Sequence, residues 1–193
     1  SLVDVSGDIG GGITYNVTST ATCGPLGGGS QWQYSYIGNL TGTSSVIRFS
    51  DPNGVQVPHY QLRIIFWTIL IDSWQGSDTF TVTLEGNQTQ TTTRNSRATS
   101  LKTCGNNGDW DDYLRFDKTY THNVSTPYTI DIKATGNQKW GIKELVVLAK
   151  LCNVACTACF GSAVSQCYAC EQDTPMLLSG TTCNETCLPG YGM

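Results

Sequence analysis

The alternation of apolar and polar residues is clearest over Leu62–Leu84. The first ten residues of this stretch place apolar side chains in both alternating sets of positions, which a β-strand requires when both of its faces are covered. Its last part alternates Phe80, Val82 and Leu84 with threonines, the pattern of a strand with one buried face. A helix is the alternative for the first part, but its content of Ile, Phe, Trp and Thr favours a strand. The stretch is therefore predicted to form a long β-hairpin.

Shorter segments with similar alternation occur on both sides of this stretch. They are Ile13–Val17, Gln31–Ile37, Ser45–Phe49, Val55–Val57, Tyr128–Ile132 and Trp140–Leu151. Turn sequences separate several of them, such as the Asp-Pro-Asn-Gly sequence at residues 51–54. No convincing helical periodicity interrupts the pattern. We therefore predict an all-β fold, in which residues 13–150 form a jelly-roll-like β-sandwich.

Residues 1–12 stand apart because of their glycine content. Val3 and Val5 fall on one side of a short extended segment, and a cluster of glycines follows them. One interpretation is a frayed terminus. The other is an assembly strand on a flexible tether, which pairs with the exposed sheet edge of another copy of the chain. The second interpretation predicts a homopolymer.

Charge and cysteine content restrict the partners and the compartment. Charged residues make up 13% of the chain and the formal net charge is −4, so no basic surface is expected for nucleic acid or acidic lipid. The longest apolar run is much too short to span a membrane. Nine cysteines without a redox or haem motif indicate an oxidising compartment. Since the chain starts without Met and without a signal-peptide pattern, we interpret it as a mature, secreted extracellular or cell-surface protein.

N-linked glycosylation is predicted at five Asn-x-Ser/Thr sequences, which lie near the ends of predicted strands or in turns. The five asparagines are Asn16, Asn39, Asn87, Asn123 and Asn184. Attached glycans would supply the hydration that the few charged side chains do not.

Cysteine spacing divides the chain near Leu151. Cys23 and Cys104 are the only cysteines before this point, and their predicted bridge closes a loop of about 80 residues, contributing on the order of 4 kcal/mol. Residues 151–193 contain seven cysteines but little to form a core, so disulfides are expected to hold them together. Zinc bound by the two Cys-x-x-Cys pairs is the alternative. The oxidising setting and the short loop between the pairs favour disulfides.

The cysteines after Leu151 follow the spacing CxxxCxxC, then CxxC, then CxxxC, with Pro189, Gly190 and Tyr191 close behind. This pattern resembles a furin-like, growth-factor-receptor-type cysteine-rich repeat, although a leucine precedes the proline here. The resemblance implies three disulfides: Cys152–Cys159, Cys156–Cys167 and Cys170–Cys183. It leaves Cys187 without a partner in the chain, so either further repeats follow or Cys187 bonds another molecule.

A second resemblance covers the whole arrangement. The sandwich contains the sequences IDSWQGSDTFTVTLEG at residues 71–86 and KWGIKELVVL at residues 139–148, and the cysteine-rich segment follows it. This combination is similar to large surface proteins of protists. The resemblance implies a location and an architecture, but no chemistry.

The sequence contains no constellation typical of an enzyme. His59 and His122 are the only histidines, and neither belongs to a metal or nucleophile motif, so both are predicted to be surface or strand-end residues. Carboxylates do cluster after Cys104, but a glycosidase needs two of them across a cleft, which the sequence does not place. We therefore predict a protein without enzymatic activity and without a required cofactor.

Two binding sites are nevertheless candidates. Carboxylate and amide oxygens for Ca²⁺ are offered by Asn107, Asp109, Asp111 and Asp112, although a solvated acidic turn is the alternative and no EF-hand spacing supports the ion. Aromatic rings on which a sugar could stack are offered by Trp32, Tyr34, Tyr36, Trp74 and Trp110. Aromatic residues that alternate along strands are more often core residues, so this site is also an open alternative.

These observations lead to one functional prediction and one rival. The prediction is a secreted, N-glycosylated structural protein of an extracellular filament or surface coat, which self-assembles through exchange of the N-terminal strand. The rival is an adhesin or a lectin-like receptor ectodomain that binds glycan or protein. The rival predicts an N-terminal strand that folds back on its own sheet.

Overall fold

The computed structural model describes residues 2–4, 14–15, 20–23, 34–41, 46–72, 74, 78–93, 111–123, 126–135, 139–171 and 177–184. These residues form fifteen β-strands. The strands are β1 Leu2–Asp4, β2 Thr14–Tyr15, β3 Thr20–Cys23, β4 Tyr34–Thr41, β5 Val46–Asp51, β6 His59–Leu70, β7 Thr79–Leu84, β8 Gln88–Thr93, β9 Asp112–Thr121, β10 Tyr128–Ala134, β11 Lys139–Leu151, β12 Cys156–Cys159, β13 Cys167–Cys170, β14 Leu177–Ser179 and β15 Thr182–Asn184. Within this part of the chain no helix is long and apolar enough to cross a membrane.

Two antiparallel sheets contain the first eleven strands. The first sheet has the order β3-β4-β11-β6-β9, and β1 also pairs with β11. The second sheet has the order β2-β5-β10-β7-β8. From β4 to β11 the chain crosses to the other sheet at every connection except the one between β7 and β8. This arrangement of eight strands is that of a jelly roll, so the predicted jelly-roll-like β-sandwich is confirmed.

The predicted hairpin over Leu62–Leu84 is wrong. Both of its strands exist, as β6 and β7, but β6 pairs with β11 and β9 in the first sheet, whereas β7 pairs with β10 and β8 in the second. β6 and β7 therefore belong to different sheets and do not form a hairpin. The alternation pattern records which side chains are buried and carries no information about the neighbouring strand.

The two faces of β6 are covered to different extents. Its even-numbered residues from Leu62 to Leu70 are buried in the sandwich interior. On the outer face Ile69 is buried against Tyr36, whereas Trp67 is 38% exposed. The prediction that both faces are covered therefore holds at only one end of the strand.

A close approach of two backbones shapes the edge between β4 and β11. The register of this pair shifts between Trp140 and Gly141, as in a β-bulge. A Cβ atom on Gly141 would lie 2.3 Å from Cδ2 of Tyr36, and one on Gly38 would lie 2.7 Å from Cα of Gly141. Glycine at position 141 lets the Tyr36 ring lie over the backbone of β11, and glycine at position 38 lets the two backbones approach each other.

The cysteine-rich module follows β11 without an intervening linker. It contains the hairpins β12–β13 and β14–β15 and three disulfides, Cys152–Cys159, Cys156–Cys167 and Cys170–Cys183. These are the pairs that the furin-like resemblance implied. The Cys152 N–H donates to the Pro58 carbonyl oxygen at 3.0 Å, and Tyr60 of β6 packs against the buried cysteines. The module is thus joined to the sandwich by backbone and side-chain contacts.

Candidate functional site

The predicted glycosylation sites differ in their surroundings. Asn87 and Asn123 are exposed, Asn87 in the turn between β7 and β8 and Asn123 just after β9, and both are accessible to modification. Asn39 lies inside β4, because this strand continues past the predicted end at Ile37 to Thr41, so a turn directly after Ile37, one of the two predicted settings, is wrong for Asn39. Asn184 is the last residue of β15, and Asn16 lies outside the described residues.

The candidate calcium ligands are only partly described. Asn107 and Asp109 lie outside the described residues, and Asp112 is the first residue of β9. Asp111 is fully buried, and its Oδ1 accepts a hydrogen bond from the Asp72 N–H at 3.0 Å. This bond ties the start of β9 to the end of β6, so Asp111 has a structural partner instead of being part of a solvated turn.

The remaining three cysteines are Cys23, Cys104 and Cys187. Cys23 ends β3, and its predicted partner Cys104 lies outside the described residues, as does Cys187. Among the described residues, one cluster has metal-ligand spacing, formed by Cys156, Cys167 and Cys183 within 4.8 Å of one another. Each of these sulfur atoms is in a disulfide and therefore is not a thiolate ligand.

The assembly strand is partly described as well. Val5 lies outside the described residues, whereas Val3 is the middle residue of β1. In the register of β1 with β11, Val3 is opposite Ala149, with Leu2 opposite Lys150 and Asp4 opposite Leu148. β1 therefore pairs with the sheet of its own chain.

His59 and His122 were predicted to be surface or strand-end residues, and the structure places both at strand ends and not at the surface. Both are buried, and their rings stack with centroids 4.9 Å apart and form a hydrogen bond of 2.6 Å between His59 Nε2 and His122 Nδ1. His59 Nδ1 lies 2.7 Å from the Val57 carbonyl oxygen, which only accepts, so Nδ1 carries a hydrogen. In the neutral pair His59 Nε2 therefore accepts from His122 Nδ1–H.

This assignment leaves His122 Nε2 without a hydrogen in the buried neutral pair. Glu85 Oε1 lies 3.4 Å away, and no described residue forms a hydrogen bond with Nε2. Burial lowers the pKa of His122 to about 4, and the adjacent His59 acts in the same direction. Burial also lowers the pKa of His59. The pair is therefore neutral at neutral pH, and its charging opposes folding.

The predicted sugar-stacking aromatics do not form a surface in the described part of the chain. Tyr36 and Trp74 are buried, and Trp74 packs against Phe80 with ring centroids 5.8 Å apart. Trp32 and Trp110 lie outside the described residues, and Tyr34 is the first residue of β4. Both aromatics whose side chains are described therefore belong to buried clusters.

An exposed aromatic lies elsewhere, on the outer face of the first sheet. Trp67 of β6 is opposite Arg115 of β9 and opposite Lys143 of β11. Two residues earlier in β6, Ile65 is opposite Asp117 and Val146. We name the surface around Trp67, Ile65, Arg115, Asp117 and Lys143 the Trp67 face. Sequence reasoning missed it because Trp67 lies in an apolar run.

Ion pairs hold the charged groups of the Trp67 face in place. Arg63 donates from Nε to Asp117 Oδ1 at 2.6 Å and from Nη2 to Oδ2 at 2.7 Å. Arg115 Nη2 lies 3.1 Å from the same Asp117 Oδ2, and these cations lower the pKa of Asp117, with Arg63 contributing most. Arg63 and Trp67 are both odd-numbered residues of β6, so their side chains lie on the same face of the strand. A charged residue at position 63 was the sequence signal that this face is open to water.

Comparison with known proteins adds little beyond the fold. No family model and no curated protein matches the chain. Among solved structures, the chain is similar to a family 35 carbohydrate binding module from Clostridium thermocellum, with 13% identity, 77% of this chain and 97% of that chain covered, and a TM-score of 0.41. The chain is also similar to the C-terminal CBM6 of LamC from Zobellia galactanivorans, with 12% identity, 78% of this chain and 100% of that chain covered, and a TM-score of 0.39.

A further similar structure is dimeric latent PorU from Porphyromonas gingivalis. The identity is 10%, the match covers 57% of this chain and 11% of that chain, and the TM-score is 0.39. Identities and TM-scores this low carry no argument about function.

Proposed function

We propose that this chain is a structural subunit of an extracellular filament or surface coat, and that it assembles by donating β1 to the β11 edge of a neighbouring copy. The observation that carries the proposal is the pairing of β1, a three-residue strand, with the edge of β11 at Leu148–Lys150. Three disulfides indicate an oxidising environment, in keeping with an extracellular location.

The edge of β11 offers a defined slot for such a strand. One edge of β11 pairs with β6 along almost its whole length. On the other edge β4 covers Lys139–Ile142 and β1 covers Leu148–Lys150. A strand in this slot satisfies backbone groups that are otherwise left at a sheet edge. Pairing of a strand with Leu148–Lys150 is therefore favourable, whichever copy of the chain supplies that strand.

Exchange conserves these contacts. A β1 strand donated by a neighbour forms the same hydrogen bonds with Leu148–Lys150 as the chain's own β1, so the exchange costs no pairing energy. The tether over residues 5–13 includes Gly7 and three consecutive glycines at residues 10–12. It spans at most about 30 Å when fully extended, which is enough to reach an adjacent sandwich.

The geometry of exchange determines the kind of assembly. Each copy donates β1 and receives a β1 at a different surface, so the contact is heterologous. A heterologous contact that does not close into a ring produces an open, filament-like array. Exposed Asn87 and Asn123 would carry glycans on the surface of such an array.

The adhesin or lectin-like ectodomain is the second candidate. It requires β1 to remain in its own sheet, and the pairing within one chain agrees with this requirement. That pairing is equally the starting point for exchange, because both arrangements contain the same contacts. The observation that distinguishes the structural subunit from the ectodomain is therefore whether β1 leaves the sheet of its own chain.

Val3→Pro tests the proposal. Proline removes a backbone N–H donor and is poorly tolerated in a paired strand, so the variant should leave the sandwich folded and reduce filament formation below detection. Ser6→Pro in the tether is the matched control and should still assemble. Sedimentation velocity and electron microscopy measure assembly, and circular dichroism measures folding. Filaments of folded Val3→Pro protein, or of a chain lacking residues 1–12, would contradict strand exchange.

A further inference from the structure

We propose that the Trp67 face is a saccharide-binding site in which a sugar ring stacks on Trp67. This inference is independent of strand exchange, because the Trp67 face belongs to the sheet surface and not to the β11 edge. Trp67 is a large apolar side chain that is 38% exposed in β6, a strand of the first sheet with a neighbouring strand on each side. The tryptophans Trp74 and Trp140 are buried in the core, so Trp67 is not needed to fill it.

The surroundings of Trp67 supply the polar groups that a hydroxyl-rich ligand needs. Arg115 and Lys143 lie opposite Trp67 on the two neighbouring strands. Asp117, in the next outward position of β9, is fixed by Arg63 and Arg115. Guanidinium donors and a carboxylate acceptor beside an aromatic surface recognise the hydroxyl groups and the apolar C–H face of a sugar ring together.

The ends of the Trp67 face limit the size of the ligand. Beyond Trp67 along β6, Ile69 and Ile71 are buried with Tyr36. In the other direction the face continues past Ile65 to Arg63. From Trp67 to Arg63 the strand advances by about 13 Å, which accommodates roughly two sugar rings. The ligand is therefore a short segment of a saccharide lying along β6.

The charge of the face restricts the class of saccharide. Arg63, Arg115 and Lys143 contribute three positive charges, and Asp117 and Glu144 contribute two negative charges, with Glu144 Oε1 2.8 Å from Lys143 Nζ. The net charge of +1 suits a neutral or uronate-containing sugar and disfavours a cationic one. A free polysaccharide and an N-glycan on a neighbouring copy both present this chemistry.

Affinity electrophoresis in gels containing a β-glucan, a xylan or a polygalacturonate tests the site. Wild-type protein should be retarded by at least one of them, and Trp67→Ala should weaken the affinity by about tenfold or more. Arg48→Ala is the matched control, because it removes a bidentate ion pair with Asp131 on the second sheet and leaves the Trp67 face intact. The control should bind as wild type does.

A second arm separates the two sources of sugar. Immobilised protein is offered glycosylated copies of the chain and copies treated with a glycosidase, and both the immobilised and the offered copies carry Val3→Pro to remove strand exchange. Selective capture of glycosylated copies, lost in immobilised Trp67→Ala, identifies the N-glycan of a neighbour as the ligand. Absence of binding in both arms, or equal binding by folded Trp67→Ala, overturns the proposal without bearing on strand exchange.

Discussion

Replacing Phe80 by alanine will lower the free energy of unfolding by about 3–5 kcal/mol, the usual cost of removing a fully buried phenylalanine. Phe80 is 0% exposed and belongs to β7 in the second sheet. Its ring contacts Trp140 of the first sheet edge to face, with centroids 5.0 Å apart, and packs against Trp74 at 5.8 Å. The ring therefore links the two sheets at the centre of the core.

The cavity left by the substitution cannot collapse easily. Trp74 is held by a hydrogen bond from its Nε1–H to the Lys139 carbonyl oxygen at 3.1 Å, and Trp140 is fully buried. Thr81→Ala on the outer side of β7 is the control; it removes only a cross-strand hydrogen bond with Thr91 at 3.3 Å and should cost about 1 kcal/mol or less. Urea denaturation measures both variants. A loss of less than about 1 kcal/mol for Phe80→Ala would mean that the two sheets do not pack through these rings.

Acidification from pH 7 to pH 4 should lower the free energy of unfolding by about 3 kcal/mol through the buried His59–His122 pair. In the unfolded chain His122 takes up a proton near its ordinary pKa of 6.5, whereas in the folded chain burial lowers that pKa to about 4. Between these values the unfolded state binds more protons, so stability falls as the pH falls. The loss begins near pH 6.5 and is largely complete by pH 4.

Several groups face the histidine pair and influence this result. Tyr128 packs edge to face against His122 with centroids 5.5 Å apart, and burial raises the pKa of its hydroxyl above the usual range. Tyr128 therefore stays neutral throughout the acid range. The Glu85 carboxylate lies beside the pair, with Oε1 3.4 Å from His122 Nε2, and its side chain is 27% exposed. Water screens this partner, so it offsets only part of the cost of charging His122.

Denaturation curves at pH 7, 5.5 and 4 for wild type and His122→Gln measure the effect. Glutamine does not titrate, so the variant should lose less stability than wild type over this range. Asp117 and Asp131 are present in both proteins, and their own acid titration cancels in the comparison. Identical pH dependence of the two proteins would show that the histidine pair does not govern acid stability.

The sequence predicts strands better than it predicts their partners. Alternating Phe80, Val82 and Leu84 identify β7, because the alternation is a direct consequence of burying one face. The partner of β6 was predicted wrongly, since pairing in a jelly roll joins strands distant in the chain, such as β6 with β11. Nothing local distinguishes a chain that turns back from one that crosses to the other sheet.

The candidate sites likewise divide into features that depend on residues close in sequence, which can be predicted, and features that depend on distant residues, which cannot. The disulfide pairs of the module agree with the spacing of a known kind of repeat, because each bridge joins cysteines close in sequence. His59 and His122 are 63 residues apart and meet only because β6 and β9 are neighbours. Trp67 lies in an apolar run, so the sequence alone does not show that it is exposed. Its exposure depends on the buried cluster around Tyr36 on the outer face, which includes Ile69 but not Trp67.

Mixing two variants that each carry one added cysteine in a Cys187→Ser background tests strand exchange most directly. Asp4 of β1 lies opposite Leu148 of β11, so Asp4→Cys in one chain and Leu148→Cys in another can bond only when β1 has moved between copies. After assembly of the mixture and mild oxidation, strand exchange predicts a disulfide-linked dimer on non-reducing gels. Asp4→Cys mixed with Lys139→Cys, which lies opposite Thr41 of β4, should give none. Folded monomers alone in the first mixture would contradict strand exchange.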